Sequence, residues 1–248
     1  MTSDAVARAE RAAEAAARAA EFVVANGTAA ERAGLAAFTG RGSVDAVVEA
    51  LVPAPAALAD FRGALRLLED LEALDHPYVA QLARELDGRQ AEDGHWGDGE
   101  EDAVFETGML AGHLAKTPSA SARCLQAAGD WLVARFSPDR LQGFQWRAIA
   151  AYAHAFANFP HDEADAILQW CGRELERGFR AERFDAVHTA RVFLWCGAPS
   201  VPGARLDASE LLAALFAEQA EDGAFGTRDR ARCSWDAMVA LVRFARLS

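Results

Sequence analysis

The sequence predicts an all-α protein built from repeated helix pairs, and three observations support this fold class. Apolar residues recur at spacings of three and four along most of the chain, which is the period of a helix with one buried face. Short breaks rich in glycine, proline and aspartate separate the helical stretches, and strand-like alternation is absent from the sequence. A five-residue motif also occurs twice, at an interval that suits stacked helix pairs.

The composition is that of a single globular domain. Hydrophobic residues make up 52% of the 248 residues and charged residues 25%, which is ordinary usage for a folded protein of this length. No shift in composition along the chain requires a second domain. We therefore treat residues 1–248 as one domain, in which residues 58–248 carry the clear helix pairs. Residues 1–57 match the pattern weakly and begin with an alanine-rich helix.

Charge and hydropathy exclude some classes of partner. The chain has 37 acidic and 25 basic residues, a formal net charge of -12, which repels nucleic acid and anionic lipid. No stretch approaches the roughly 18 consecutive apolar residues of a membrane span, and Met1–Asp4 lacks the basic start of a signal peptide. We expect no nucleic-acid partner, no membrane span and a cytoplasmic location. The four cysteines form no CxxC pair and are expected to be reduced core residues.

An internal repeat organises the chain. The motif Gln-Ala-Glu-Asp-Gly at residues 90–94 recurs letter for letter at residues 219–223, and each copy is followed by one residue, an aromatic residue and a glycine. The interval of 129 residues equals three units of 43, which is the length of a helix–turn–helix pair. Two degenerate copies of the unit are therefore expected between the two motifs.

The second helix of each unit opens with a bulky residue, a polar residue and a small residue. The polar position is occupied by Glu106, Arg147, His188 and Asp236, at steps of 41, 41 and 48 residues, with a fainter copy at Arg62, 44 residues before Glu106. We call these five the register residues. Stacked helix pairs form either an open solenoid or a closed ring, and periodicity alone leaves both possibilities open.

The repeat resembles that of squalene cyclases and protein prenyltransferases. In that family a glutamine ends each outer helix and is followed by a few residues, a glycine, any residue and a tryptophan. The matching residues are Gln90, Gly94 and Trp96, and more loosely Gln219, Gly223 and Phe225. The resemblance covers about residues 58–248 and implies an α/α toroid of about five to six helix pairs. It also implies that the glutamine amide ties each repeat to the next.

In such a toroid the N-terminal ends of the inner helices converge on one mouth of a central pocket. The register residues would then surround that mouth, where helix starts stabilise a carboxylate or a ligand anion. We predict His188, Asp236 and Glu106 as catalytic candidates, with His188 preferred as acid and base because its ordinary pKa is near neutrality. Arg147 and Arg62 are predicted to bind the substrate. Helix capping and salt bridging between helices are the alternative roles.

Aromatic residues at inner positions are predicted to line a pocket for an isoprenoid or another apolar small molecule. Their faces would stabilise a developing carbocation, although packing in the core is the alternative role. The candidates are Phe105, Phe144, Trp146, Tyr152, Phe184, Phe193 and Trp235.

Class II terpene cyclases resemble the chain at residues 185–190, where their inner helix reads Asp-x-Asp-Asp-Thr-Ala. The central aspartate of that motif is the acid that protonates an alkene or an epoxide, and this chain has Val187 there. A terpene-cyclase-like activity would therefore lack the intact acid motif. Asp185, which matches the first aspartate, is predicted as a pocket residue.

Protein prenyltransferases resemble the chain at Asp185–Thr189, where their zinc-binding histidine matches His188. Cys233 lies one turn from Asp236 in the adjacent repeat, so a thiolate, an imidazole and a carboxylate would meet there as zinc ligands. The family has an aspartate two residues before its cysteine, where this chain has Ala231. We predict no cofactor, and zinc at this place is the alternative.

The sequence leaves three possibilities open, two for the function and one for the architecture. The first is a terpene-cyclase-like or prenyltransferase-like enzyme that transforms an isoprenoid. The second is a non-catalytic ring that binds a ligand or a partner protein. The third is an open helical solenoid, which predicts no enclosed cavity.

Overall fold

The computed structural model describes residues 3–52, 55–139, 141 and 145–246, and within these residues the chain forms twelve α-helices and no strand. The prediction of an all-α fold is confirmed. No helix in this part of the chain is long and apolar enough to cross a membrane. The helices are α1 Ser3–Asn26, α2 Ala29–Phe38, α3 Val44–Leu51, α4 Leu58–Asp70, α5 Pro77–Arg89, α6 Glu100–Ala115, α7 Ala122–Arg135, α8 Trp146–Asn158, α9 Ala164–Arg180, α10 Ala186–Cys196, α11 Ala208–Glu218 and α12 Arg230–Phe244.

From α4 onward, the helices alternate between two environments. Helices α6, α8, α10 and α12 are buried on almost every side, whereas α5, α7, α9 and α11 bury one face and expose the other. Helix α4 packs against α6, α6 against α8, α8 against α10, and α10 against α12. We call these five the inner helices and the helices between them the outer helices.

Small residues let α6 and α8 approach closely. A Cβ atom on Gly108 would lie 2.6 Å from the carbonyl oxygen of Ala151, and one on Gly112 would lie 2.6 Å from the ring of His154. Since no larger side chain fits at either position, the two glycines set the distance between these helices. The short distance also brings residues near the C-terminal end of α6 into contact with residues near the C-terminal end of α8.

The repeated motif joins one outer helix to the next. The side-chain amide of Gln90 donates to the carbonyl of Cys124 in α7 at 2.9 Å, and that of Gln219 donates to the carbonyl of Ala15 in α1 at 2.8 Å. Helix α1 therefore lies beside the second motif as α7 lies beside the first. Helix α1 also packs against α12 and α11, so residues near both ends of the chain are in contact.

Side chains of the first inner helix also contact the last. Asp70 in α4 accepts a hydrogen bond from the indole Nε1 of Trp235 in α12 at 2.7 Å. Arg66 in α4 pairs with Asp236 in α12, and Arg243 donates to the backbone carbonyl of Asp70 at 2.9 Å. These contacts connect α12 directly to α4.

Candidate functional site

A cavity of about 450 Å³ lies at the N-terminal ends of the inner helices. Arg62, Arg147, His188 and Asp236 all line it, so the structure brings four of the five register residues to one place. The fifth, Glu106, lies beside them, with its Oε1 atom 2.9 Å from Nη1 of Arg62. We call this cavity the mouth cavity.

His188 and Asp185 form a hydrogen-bonded pair in the wall of the mouth cavity. Asp185 is the N-cap of α10, and its Oδ1 atom accepts from the backbone N–H of His188 at 2.7 Å. The same oxygen lies 2.7 Å from Nδ1 of the His188 ring. Since Nδ1 is engaged, Nε2 is the ring nitrogen left to exchange a proton with a bound molecule. The ring stands edge-on to Trp146, with the centroids 4.8 Å apart.

The interaction between His188 and Asp185 raises the pKa of the histidine and lowers that of the aspartate. The hydrogen bond that Nδ1 of His188 donates to Asp185 raises the pKa of His188 above its ordinary value, although partial burial opposes this. Burial raises the pKa of Asp185, but the hydrogen bond and charge of His188 outweigh burial and lower it. The pair therefore stabilises the fold between the two pKa values. This stabilisation is lost as the pH rises through the raised pKa of His188 or falls through the lowered pKa of Asp185.

We expect the ring of His188 to titrate above the ordinary histidine value of about 6.5, and Asp185→Asn to lower that pKa. The reason is that the substitution removes the negative charge that favours the protonated ring. NMR titration of the ring C–H signals measures both values. The control is Asp130→Asn, which removes a carboxylate beside His161 on another face and should leave the pKa of His188 unchanged. An unchanged His188 pKa in Asp185→Asn would show that the pair does not set it.

Asp236 is a partly buried counter-ion in the wall of the mouth cavity. Its Oδ1 atom lies 2.5 Å from Nη1 of Arg66 and 3.6 Å from Nη1 of Arg191. Burial raises its pKa, but Arg66, Arg191 and Arg232 outweigh burial and hold the pKa below the ordinary aspartate value. Asp236 is therefore a carboxylate at neutral pH and cannot act as a proton donor there.

The arginines predicted to bind substrate share one aromatic ring. The guanidinium groups of Arg62 and Arg147 lie 4.8 and 4.3 Å from the centroid of Phe105. Each also has a carboxylate partner, Glu106 for Arg62 and Asp102 for Arg147, the latter at 2.8 Å. Burial raises the pKa of Glu106, although the charges of Arg62 and Arg147 oppose this. These arginines are thus positioned at the mouth with their charges largely balanced.

Arg232 is a charged residue of the cavity wall that the sequence did not indicate. It lines the mouth cavity, is partly buried, and has no hydrogen-bond or ion-pair partner among the residues that the structure describes. The nearby charge of Arg66, together with burial, lowers its pKa to about 10, although Asp236 opposes this shift. The available signal was its position four residues before Asp236, which places both side chains on the same face of α12.

Below the mouth cavity, the space between the inner helices is filled by charged side chains. Asp70 accepts from Nη1 of Arg191 at 2.8 Å and lies 3.7 Å from Nη1 of Arg66. All three side chains are buried. Burial opposes the charge of Arg191, but Asp70 and Asp236 raise its pKa above the ordinary arginine value. The centre is therefore an ionic network in place of the apolar interior that the sequence led us to expect.

The predicted aromatic residues divide between the cavity and the core. Phe105 and Trp146 line the mouth cavity, together with Met109 and Trp195, which we did not predict. Trp235 is fully buried and bonded to Asp70, so the structure places it in the core and not in the mouth cavity.

Tyr152 also lies away from the mouth cavity, because its ring packs edge-on against Phe136 and its hydroxyl donates to the carbonyl of Leu132. It borders a second cavity, of about 530 Å³, near Leu141 and Gln145. These two residues flank residues 142–144, which the structure does not describe. Phe144 therefore lies outside the described residues.

The zinc set suggested by the resemblance is not assembled. Cys233 lines the mouth cavity, and its Sγ donates to the carbonyl of Arg228 at 3.4 Å. Burial raises the pKa of this thiol to about 12, which disfavours the thiolate that binds metal. In the described part of the chain, ligand atoms of Cys233, His188 and Asp236 do not gather within 4.8 Å of one another.

Comparison of the chain with models of protein families, with curated proteins and with solved structures finds no match in any of the three.

Proposed function

We propose that the five inner helices close into an α/α toroid, with the outer helices and α1 around them. Two observations support closure. The side chains of Arg66 and Asp70 in α4 bond to α12. The second copy of the motif also reaches α1 as the first copy reaches α7, which is expected if α1 occupies the next outer position.

We further propose that the mouth cavity binds a small amphipathic anion. The observation that carries this proposal is Arg232, a partly buried guanidinium without a partner among the described residues and close to the charge of Arg66. An anionic group of a ligand would supply the missing partner, and a hydrogen bond to a charged group contributes about 1.5–3 kcal/mol. The N-terminal ends of the inner helices add positive partial charge at the same place.

The other wall of the cavity is apolar and suits the body of such a ligand. Phe105, Met109, Trp146 and Trp195 line it, and about 450 Å³ lies within the range of small-molecule pockets. A phosphorylated isoprenoid combines an anionic head with an apolar chain, so we propose this ligand class. The resemblance of the repeats to those of squalene cyclases and protein prenyltransferases supports the choice.

His188 is the residue that we propose for acid and base catalysis at the bound ligand. Its Nδ1 atom is held by Asp185, and its position in the cavity wall leaves Nε2 for proton exchange. Asp236 and Glu106 act as positioning residues, because their carboxylates hold Arg66 and Arg62.

A non-catalytic binding protein is the second candidate function. Val187 lies in the cavity wall where the resembling cyclases have their acid, and Asp236 is ionised. Neither residue supplies the neutral carboxylic acid that protonates an alkene. Product analysis after incubation with the ligand separates the two candidates, since only the catalytic one depends on His188 for turnover.

Calorimetry with geranyl diphosphate tests the proposed ligand class, with inorganic diphosphate and geraniol as its two halves. We expect the whole molecule to bind at least tenfold more tightly than either half, because the two walls of the cavity act together. Arg232→Gln should weaken binding by about tenfold or more, which corresponds to about 1.4 kcal/mol.

The matched control is Arg173→Gln, since Arg173 is an exposed arginine of α9 that is not part of the cavity wall. It should bind as the wild type does. Equal binding of geraniol and geranyl diphosphate, or an Arg232→Gln variant of wild-type affinity, would contradict the anion site.

A further inference from the structure

A second polar layer lies deeper along the same inner helices. Counting seven residues on from Arg62, Glu106, Arg147 and His188 reaches Glu69, His113, His154 and Trp195. Seven residues are about two helical turns, so each of these side chains returns to nearly the same face, about 10 Å further along its helix. The repeat that builds the mouth therefore also places a carboxylate, two imidazoles and an indole together near the C-terminal ends of α4, α6, α8 and α10.

Three of these side chains meet at short distances. Oε2 of Glu69 lies 2.7 Å from Nδ1 of His113. The rings of His113 and His154 are nearly perpendicular, with their centroids 4.5 Å apart. One ligand atom from each of Glu69, His113 and His154 lies within 4.8 Å of the others. The ring of His154 also stacks on Trp195, with the centroids 5.3 Å apart.

Most of the imidazole nitrogen atoms in this cluster have no partner in the described part of the chain. Nε2 of His113 and both ring nitrogens of His154 are buried without a hydrogen bond, and both side chains are fully buried. An unpaired buried polar group is costly, and such groups in a folded protein are usually bonded to another group or to an ion. A neutral imidazole has one lone-pair nitrogen, so the two rings offer two lone pairs beside the carboxylate of Glu69. This arrangement points to a cation that accepts both lone pairs.

The carboxylate of the cluster is also held in place by a neighbouring side chain. The other oxygen of Glu69 lies 2.6 Å from Nζ of Lys116. Lys116 thereby orients the carboxylate, as the hydrogen-bond partners of metal ligands commonly do.

We propose that Glu69, His113 and His154 bind one divalent transition-metal ion, of the zinc type, which ties α4, α6 and α8 together. Two imidazoles and one carboxylate are a donor set that zinc takes in three-ligand sites. Gly112 supports this geometry, because a residue without a side chain allows the ring of His154 to approach α6 closely. The proposal does not rest on the ligand of the mouth cavity, although Trp195 borders both sites.

Metal titration of the full chain tests the site. After treatment with EDTA and dialysis, the wild type should bind one equivalent of Zn²⁺ by calorimetry and by elemental analysis. Zn²⁺ should raise the melting temperature, and Co²⁺ should give the visible absorption bands of a low-coordinate site. Failure of the wild type to bind either ion would overturn the proposal.

Two variants separate this site from the mouth. His154→Phe keeps an aromatic ring on Trp195 and should fold without metal, since it removes two unpaired nitrogens, but it should weaken Zn²⁺ binding by more than about tenfold. Glu69→Gln keeps the size of the side chain and should also weaken Zn²⁺ binding by more than about tenfold. This second variant tests the site even if His154→Phe fails to fold. The matched control is His188→Phe, which should bind Zn²⁺ as the wild type does. Wild-type binding by both His154→Phe and Glu69→Gln, or loss of binding in His188→Phe alone, would show that the metal does not bind to this cluster.

Discussion

Replacing Asp70 with alanine is expected to lower the free energy of unfolding by about 3–5 kcal/mol, the range for breaking a buried ion pair. Asp70 is almost fully buried and accepts from Arg191 and from the indole of Trp235, while Arg66 lies 3.7 Å away. Its removal leaves Arg191 and Arg66 in the centre of the molecule with Asp236 as their nearest carboxylate. It also removes a side-chain contact between the first and last inner helices.

Urea unfolding followed by circular dichroism measures this change. Asp75→Ala is the matched control, since Asp75 is exposed in the turn after α4, and it should change the free energy of unfolding by less than about 0.5 kcal/mol. Asp70→Asn should fall between the two variants, because the amide keeps an acceptor for Trp235 but loses the charge. A loss below 1 kcal/mol for Asp70→Ala, on the scale of an exposed ion pair, would mean that the network does not stabilise the fold.

Replacing Gly94 with alanine is expected to lower the free energy of unfolding by about 3 kcal/mol, from backbone strain and overpacking together. Gly94 has a φ of +102°, a conformation that L side chains rarely adopt. A Cβ atom there would also lie 2.3 Å from the carbonyl oxygen of Ala127 in α7. The substitution therefore weakens the contact between the first motif and α7. The same urea experiment measures the change in the free energy of unfolding.

Gly63→Ala provides the matched control for Gly94→Ala. Gly63 lies in the interior of α4, and a Cβ atom there would contact nothing within 4 Å. Alanine is a better helix former than glycine, so this variant should be more stable by about 0.5–1 kcal/mol. The opposite signs of the two changes would show that the effect at Gly94 comes from the turn. A neutral Gly94→Ala variant would contradict the strained turn.

The all-α class and the meeting of the register residues at one cavity were predictable because both depend on local pattern. Helical period and turn residues define the helices, and the repeat length aligns Arg147, His188 and Asp236 at one end of the inner helices. The ionic centre was not predictable in the same way. The register contains one polar residue from each inner helix, whereas Arg66 and Arg191 lie a turn further along and face the same interior.

Helix starts explain the other differences between sequence and structure. Helix α8 begins one residue before Arg147, but α12 begins six residues before Asp236, so α12 has an additional turn that carries Arg232 to the cavity. Two aromatic residues at equivalent positions also lie in different surroundings. Trp146 lines the cavity, whereas Trp235 donates to Asp70 and packs in the core.

The seven-residue spacing between the two polar layers also limits where the gene can gain or lose codons. One added residue between Glu106 and His113 would turn His113 by about 100° around the axis of α6, away from Glu69, while Glu106 kept its place. The longer last step of the repeat, 48 residues against 41, conforms to this limit, because Arg243 still follows Asp236 by seven residues and reaches the carbonyl of Asp70. Insertions and deletions in this chain are therefore expected in the loops and outer helices and not within these stretches of the inner helices.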